Sequence, residues 1–256
     1  LLIVLSPAKR LDFTEADPAI PGTERRFIDD TASLATTARR QTKADLRRLM
    51  GISDDLATLN VARFKAFDAE SMDGVQAAFA FAGDVYEGLK ARELDAKALE
   101  YAQHHLRILS GFYGLLRPLD RIQPYRLEMG TRLKTRRGTS LYDFWGERIS
   151  KQLNEDAEGQ TDPTLVNLAS QEYFGAVDAK ALKLQVVTPQ FREEKNGESR
   201  IVSFFAKKAR GAMTRFAIDE RVERVADLKA FDRDGYTFDK AASTESEWIF
   251  IRSGNS

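Results

Sequence analysis

The sequence runs to 256 residues, 43% hydrophobic and 30% charged, with 39 basic and 39 acidic side chains and no cysteine. That balance fits a folded chain with a substantial core rather than a disordered one. It excludes disulfides, thiolate catalysis and cysteine-based zinc or iron–sulfur sites, and the absence of cysteine points to the cytoplasm. No apolar run approaches the roughly 20 residues of a membrane helix, so no membrane partner is expected.

The first five residues, Leu1–Leu5, are all apolar, which predicts a central strand covered on both faces. The run is too short for a signal peptide and has no basic segment before it. Pro7 ends it, and Lys9 and Arg10 then stand where folds with a buried sheet place ligand contacts, at a strand's end. Ser6-x-x-Lys9 formally has the nucleophile–base spacing of Ser–Lys acyl enzymes, but nothing like their later motifs follows. Residues 12–23, with Pro18, Pro21 and Gly22, read as a loop, and Glu24–Arg40 as a helix.

Thr42-Lys43-Ala44-Asp45 has the pattern of a capping box opening a helix to Met50. Gly51 is suited to the left-handed turn that ends it, and Ser53 to capping a second helix as far as Phe67. Leu49-Met50-Gly51-Ile52-Ser53 therefore resembles the turn of a helix-hairpin-helix, which offers backbone N–H groups to a DNA phosphate without reading bases. Asp54 and Asp55 follow at the spot a phosphate would approach. Two core helices on a tight turn are the bland alternative.

Ser71–Phe81 and Ala96–Leu109 carry helical spacing, with Asp95 as the cap of the second and Gly83–Gly88 as a break between them. His104–Gly138 holds eight Lys or Arg against two acids. Its basic side chains alternate with apolar residues and turns, which predicts a shaped cationic surface rather than a loose tail. His104 and His105 are neighbours about 100° apart on a helix and cannot clamp one metal as an i, i+4 pair could. A helix beginning at Thr139 or Ser140 carries Leu141, Phe144, Trp145, Ile149 and Leu153 into the core.

Residues 164–169 read as a second buried strand, and Ser170 as the cap of a short helix to Phe174. Leu184–Phe191 and Arg200–Phe205 flank Lys195-Asn196-Gly197, a hairpin signal. A helix from Ala206 to Ile218 then opens with Lys207, Lys208 and Arg210, cations that oppose the helix dipole unless an anion is held there. Gly235–Asp239 and Trp248–Arg252 read as closing strands. No glycine-rich phosphate or dinucleotide loop occurs, so nucleotide hydrolysis and dinucleotide redox chemistry are not expected. Strands at both ends with helices between predict a single integrated α+β domain over residues 1–256, a mixed central sheet surrounded by helices.

The chain resembles the peroxide stress protein YaaA family. The resemblance rests on Ser6-Pro7-Ala8-Lys9, Gly83-Asp84-Val85-Tyr86, Leu106-Arg107-x-Leu109-Ser110-Gly111, Arg117-Pro118-Leu119-Asp120 and Pro124-Tyr125-Arg126-Leu127-Glu128-Met129-Gly130. It continues through Phe144-Trp145-Gly146, Asn167-Leu168-Ala169-Ser170 and Phe205-Ala206-Lys207-Lys208-Ala209-Arg210-Gly211. It implies a cytosolic protein limiting peroxide damage, a family-specific fold with a cationic cleft, and a helix-hairpin-helix element associated with DNA binding. Lowered free iron is one implied effect; no residue pattern here resembles an iron site, so it is expected to be indirect. No cofactor and no metal site is expected, and a monomer is favoured.

Two functions follow. The first is sequence-nonspecific DNA binding through Lys9, Arg10, Arg107, Arg117, Arg126, Arg132, Lys134, Lys207, Lys208 and Arg210. The second is an enzyme acting on a nucleotide or nucleobase-like, phosphate-bearing small molecule, with Ser6, Lys9, Tyr125, Glu128 and Asn167 as candidate catalytic groups. Deep burial of Lys9, Arg126 and Glu128 around a small cavity would favour the enzyme, and an open groove about as wide as a duplex the DNA protein. A structural ion-pair network at Arg126–Glu128 is the third possibility.

Overall fold

A strand that is apolar at every position needs cover on both faces, and Leu2–Leu5 (β1) obtains it at the centre of the sheet. The computed structural model describes residues 1–14, 21–195 and 197–253. Pro18 of the predicted loop and Asn196 of the predicted turn lie outside them.

After β1 come β2 (Arg10–Leu11), α1 (Ile28–Arg39), α2 (Lys43–Met50), α3 (Asp54–Ala66), β3 (Val75–Gln76), α4 (Ala77–Ala80), β4 (Phe81–Ala82) and α5 (Asp84–Leu89). Next are α6 (Ala96–His105), β5 (Leu106–Ser110), β6 (Gly114–Leu116), β7 (Arg121–Ile122), α7 (Leu141–Trp145) and α8 (Arg148–Asp156). β8 (Thr164–Leu168), α9 (Gln171–Phe174), β9 (Gln185–Lys195), β10 (Glu198–Arg200), α10 (Ser203–Asp219), β11 (Thr237–Asp239) and β12 (Glu247–Ser253) complete the order.

The main sheet runs β11-β12-β9-β8-β1-β5-β6, with β10 paired to β9. Its five central strands are mutually parallel; β6, β10 and β11 are antiparallel additions. The expected α+β chain with a mixed central sheet is therefore present. Ile3 lies between Leu106 and Val166, and Leu5 between Ile108 and Leu168. One continuous core joins Leu1 to Phe250 and takes in Phe144, Trp145, Ile149 and Leu153 as expected.

Several expected boundaries move. Leu106–Leu109 is strand β5, not the end of a helix, because Leu106 turns to an extended conformation directly after His105. Within 71–81 only α4 is helical, flanked by β3 and β4, and Gly83–Gly88 supplies α5 rather than a break. The helix expected from 139 onward is two, since Gly146 takes a φ of 48° between α7 and α8. The expected strand at 200–205 ends at Arg200, and α10 starts at Ser203. The capping box at Thr42, the left-handed Gly51 and the Ser53, Asp95, Ser140 and Ser170 caps all form.

Candidate functional site

From β1 the chain crosses to β5 on one side, while from β8 it proceeds to β9 and β12 on the other. Neighbouring parallel strands whose exits diverge leave a crevice beyond their carboxyl ends. Ser6 and Ser170 close this one. The Ser170 N–H donates to Ser6 Oγ at 2.9 Å, and Ser6 Oγ donates to Ser170 Oγ at 3.3 Å. The Tyr86 hydroxyl donates to the Ser6 carbonyl oxygen at 3.0 Å. With its hydroxyl held between the two loops, Ser6 is a brace rather than a free nucleophile.

On one side of this brace lies the Lys9–Glu128–Arg126 cluster. Arg126 Nε donates to Glu128 Oε1 at 2.9 Å, and Lys9 Nζ approaches the same oxygen at 3.7 Å. The Arg126 and Glu128 side chains are 18% and 13% exposed, whereas Lys9 is 68% exposed. Tyr125 and Tyr173 wall the cluster. Tyr125 shares a 2.6 Å hydrogen bond with Ser110 Oγ, and burial pushes its pKa well up, so it stays neutral. Burial likewise raises Tyr173. The space among these side chains is small, about 10 Å³, and partly open to solvent. Arg126 and Glu128 are buried as the enzyme reading asked, but Lys9, the third residue it named, is exposed. An ion-pair network that ties the end of β1 to the 124–130 segment describes it better.

On the other side opens a cleft of about 590 Å³, between the end of β8, α9, β9, the start of β12 and α10. Asn167 forms part of its wall; its Oδ1 accepts from the Ala169 N–H at 3.1 Å, and its Nδ2 donates to Thr188 Oγ1 at 3.4 Å. Arg210 enters from α10, half-buried, and burial lowers its pKa. Among the described residues its guanidinium has no acid and no hydrogen-bond acceptor.

What holds Arg210 there is close helix packing. A Cβ on Gly211 would lie 1.7 Å from the Val85 carbonyl oxygen, and one on Gly88 would lie 2.1 Å from that of Lys208. Only glycines let α5 and α10 approach so closely. Because α10 starts at Ser203, Lys207, Lys208 and Arg210 sit in its second turn and beyond, so they do not confront the dipole at its first N–H groups as the sequence suggested.

The remaining cations separate into paired and unpaired. Arg10 meets Glu87 at 3.7 Å and Lys207 meets Asp84 at 3.8 Å. Arg117 is held by Asp120 and the Glu24 carbonyl, and Arg107 is buried against Asp156 at 2.5 Å, where Arg26 is a second partner. Arg107 thus serves the interior. Arg132 and Lys134 are exposed, Lys208 is half-buried, and none of the three has an acid partner among the described residues.

Around Gly51, Leu49 and Met50 pack partly on the core, Ile52 is buried and Ser53 caps α3. Asp54 stands at the first turn of α3, bonded to Lys43 and Arg47 at 2.8 Å each. A carboxylate therefore occupies the helix start where the motif would take a phosphate.

Sequence reasoning missed Tyr86 as a brace of Ser6, and Gly88 and Gly211 as the contact that seats α10. The glycines were quoted within motifs, but no periodicity says which helices meet.

A family model described as peroxide stress protein YaaA matches residues 1–242. A UPF0246 protein of Caulobacter vibrioides (strain NA1000 / CB15N) is 62% identical over 252 residues, covering 98% of this chain and 99% of its own length. A UPF0246 protein of Ruegeria pomeroyi is 57% identical over 254 residues, covering 98% of each chain. One from Maricaulis maris is 52% identical over 252 residues, covering 98% of this chain and 96% of its own.

Proposed function

This chain belongs to the peroxide stress protein YaaA family, and from that membership we propose that it binds DNA during peroxide stress through backbone phosphates, without reading base sequence. The observation that carries the proposal is that, of the cations the sequence offers as phosphate contacts, Arg132, Lys134 and Lys208 stand outside the Arg210 cleft with no acid partner among the described residues, in a chain of zero formal charge. A cation already paired has little left to offer a phosphate, so these three, and not Arg107 or Arg117, are the contacts to test.

The α1–α3 region adds to this. Residues 39–67 hold seven bases against three acids, and Arg63 and Lys65 on α3 have no acid partner among the described residues. With Asp54 at the start of α3, the helical flanks are the proposed phosphate contacts there rather than the backbone N–H groups of the turn. Any effect on free iron would follow indirectly from protecting DNA.

Fluorescence anisotropy of a labelled duplex titrated with the full chain tests the proposal. Log affinity should fall linearly with log salt and stay level when the sequence is scrambled. Binding that is indifferent to salt, or confined to one sequence, would overturn it.

A further inference from the structure

We propose that the cleft beside Arg210 binds a single nucleoside phosphate unit, with the phosphate on the Arg210 guanidinium. Four observations converge there. The cleft measures about 590 Å³, within the roughly 300–1,000 Å³ that small ligands occupy. It lies at the crevice beyond β8, next to the strand where the sheet's connections diverge. Arg210 projects into it with no acid or acceptor among the described residues, and a planar fork of donors suits a phosphate better than any neutral ligand. The other walls divide as a nucleoside requires: Phe174 and Ile201 offer apolar surface, while Gln171 offers an amide able to pair with a heterocycle edge.

Arg210 is the one cation that lines the cleft and Glu247, whose carboxylate accepts an amide hydrogen bond from Gln190, the one acid, so the phosphate is assigned to the arginine. Ile201, 53% exposed, leaves apolar surface that a bound base would cover. A duplex cannot enter a space of this size, whereas one nucleotide can. The unit can therefore be a free nucleotide or the unpaired nucleotide of a strand, which share the same phosphate and base. This inference does not rest on duplex binding: Arg132, Lys134 and Lys208 could all fail to bind a duplex and leave it intact.

The test is calorimetric titration of the full chain and of its Arg210→Gln variant. The probes are adenosine monophosphate, adenosine, inorganic phosphate, a fully paired duplex and the same duplex with one unpaired adenosine. A charge-assisted hydrogen-bonding partner of this kind supports an affinity loss of about 10–100-fold in Arg210→Gln. Adenosine and phosphate alone should each bind more weakly than the monophosphate, and Arg210→Lys should lose less than Arg210→Gln. Monophosphate binding that depends on Arg210 supports a free nucleotide as the ligand. Arg210-dependent preference for the unpaired duplex, without monophosphate binding, supports the strand nucleotide. If wild type and Arg210→Gln bind every probe alike, or neither the monophosphate nor the unpaired duplex binds preferentially, the proposal is wrong. Circular dichroism of the variant, expected unchanged, separates lost binding from lost folding.

Discussion

Arg210, half-buried with no partner among the described residues, destabilises the fold that carries it, because the charge gives up water and gains no acid. Replacing it should therefore stabilise the protein while removing ligand affinity, the opposite of what a structural arginine does. Arg210→Gln is expected to raise Tm by about 2–4 °C, the response to roughly 1 kcal/mol in a chain of this length; a thermal melt checks it. The contrast is Asp156, whose carboxylate is shared by buried Arg107 and by Arg26. Asp156→Asn leaves Arg107 buried without its counter-charge, and chemical denaturation should show a loss of about 3–5 kcal/mol. Much at this scale was readable in advance. Thr42, Ser53, Asp95 and Ser170 announce their helix starts because capping is decided by a few adjacent atoms. Which cations would find acids was not readable, since Arg107 and Asp156 are 49 residues apart and meet only in the fold.

Elements were legible where one local rule acted alone. β1 and β8 are short apolar runs bounded by turn residues, and they stand where the sequence put them. β5 was hidden because Leu99, Ala102, Leu106 and Leu109 keep helical spacing straight through the boundary at His105. A strand buried on both faces has no alternation of its own to break that pattern. The start of α10 was misplaced for a related reason: Ser203, Phe204 and Phe205 have no distinctive helical signal, and Val202 precedes them without a side-chain cap. The contact between α5 and α10 gives the prediction at this scale. Gly211→Ala would press a methyl group into the Val85 carbonyl and force the two helices apart. Overpacking of this kind costs about 1–3 kcal/mol, and it should also weaken binding at the Arg210 cleft by moving α10. A denaturation curve and the monophosphate titration read the two effects separately.

For the molecule as a whole, the sheet decides the layout of the site. The divergent exits of β1 and β8 place Ser6 and Ser170 together, with the ion-paired Lys9–Glu128–Arg126 cluster on one side and the larger Arg210 cleft on the other. The sequence had named Lys9, Arg126 and Arg210 together as phosphate contacts, and Ser6 and Glu128 as candidate catalytic groups. Linear distance could not show that the brace divides them.

Stability should also fall on acidification in two stages. His105, its ring bonded to the Leu1 carbonyl, has its pKa lowered chiefly by burial. A depressed folded value means that the unfolded chain takes up the proton first, so stability drops as pH falls below the ordinary 6.5. For Asp156, burial alone would raise the pKa, but Arg107 and Arg26 outweigh it and hold the group below 3.8. Its contribution is complete at neutral pH and is lost as pH falls below that value. Unfolding midpoints measured from pH 8 to pH 3 should show both declines.

The most direct test of the phosphate-binding account compares salt dependence between the wild type and a variant carrying Arg132→Gln, Lys134→Gln and Lys208→Gln. Each phosphate contact contributes about 0.9 to the slope of log affinity against log salt on duplex DNA. If all three residues touch phosphates, the variant's slope should be shallower by about 2.7, with fold and Tm kept because none has an acid partner among the described residues to lose. An unchanged slope, or a wild type that binds duplex with no salt dependence, would contradict the account.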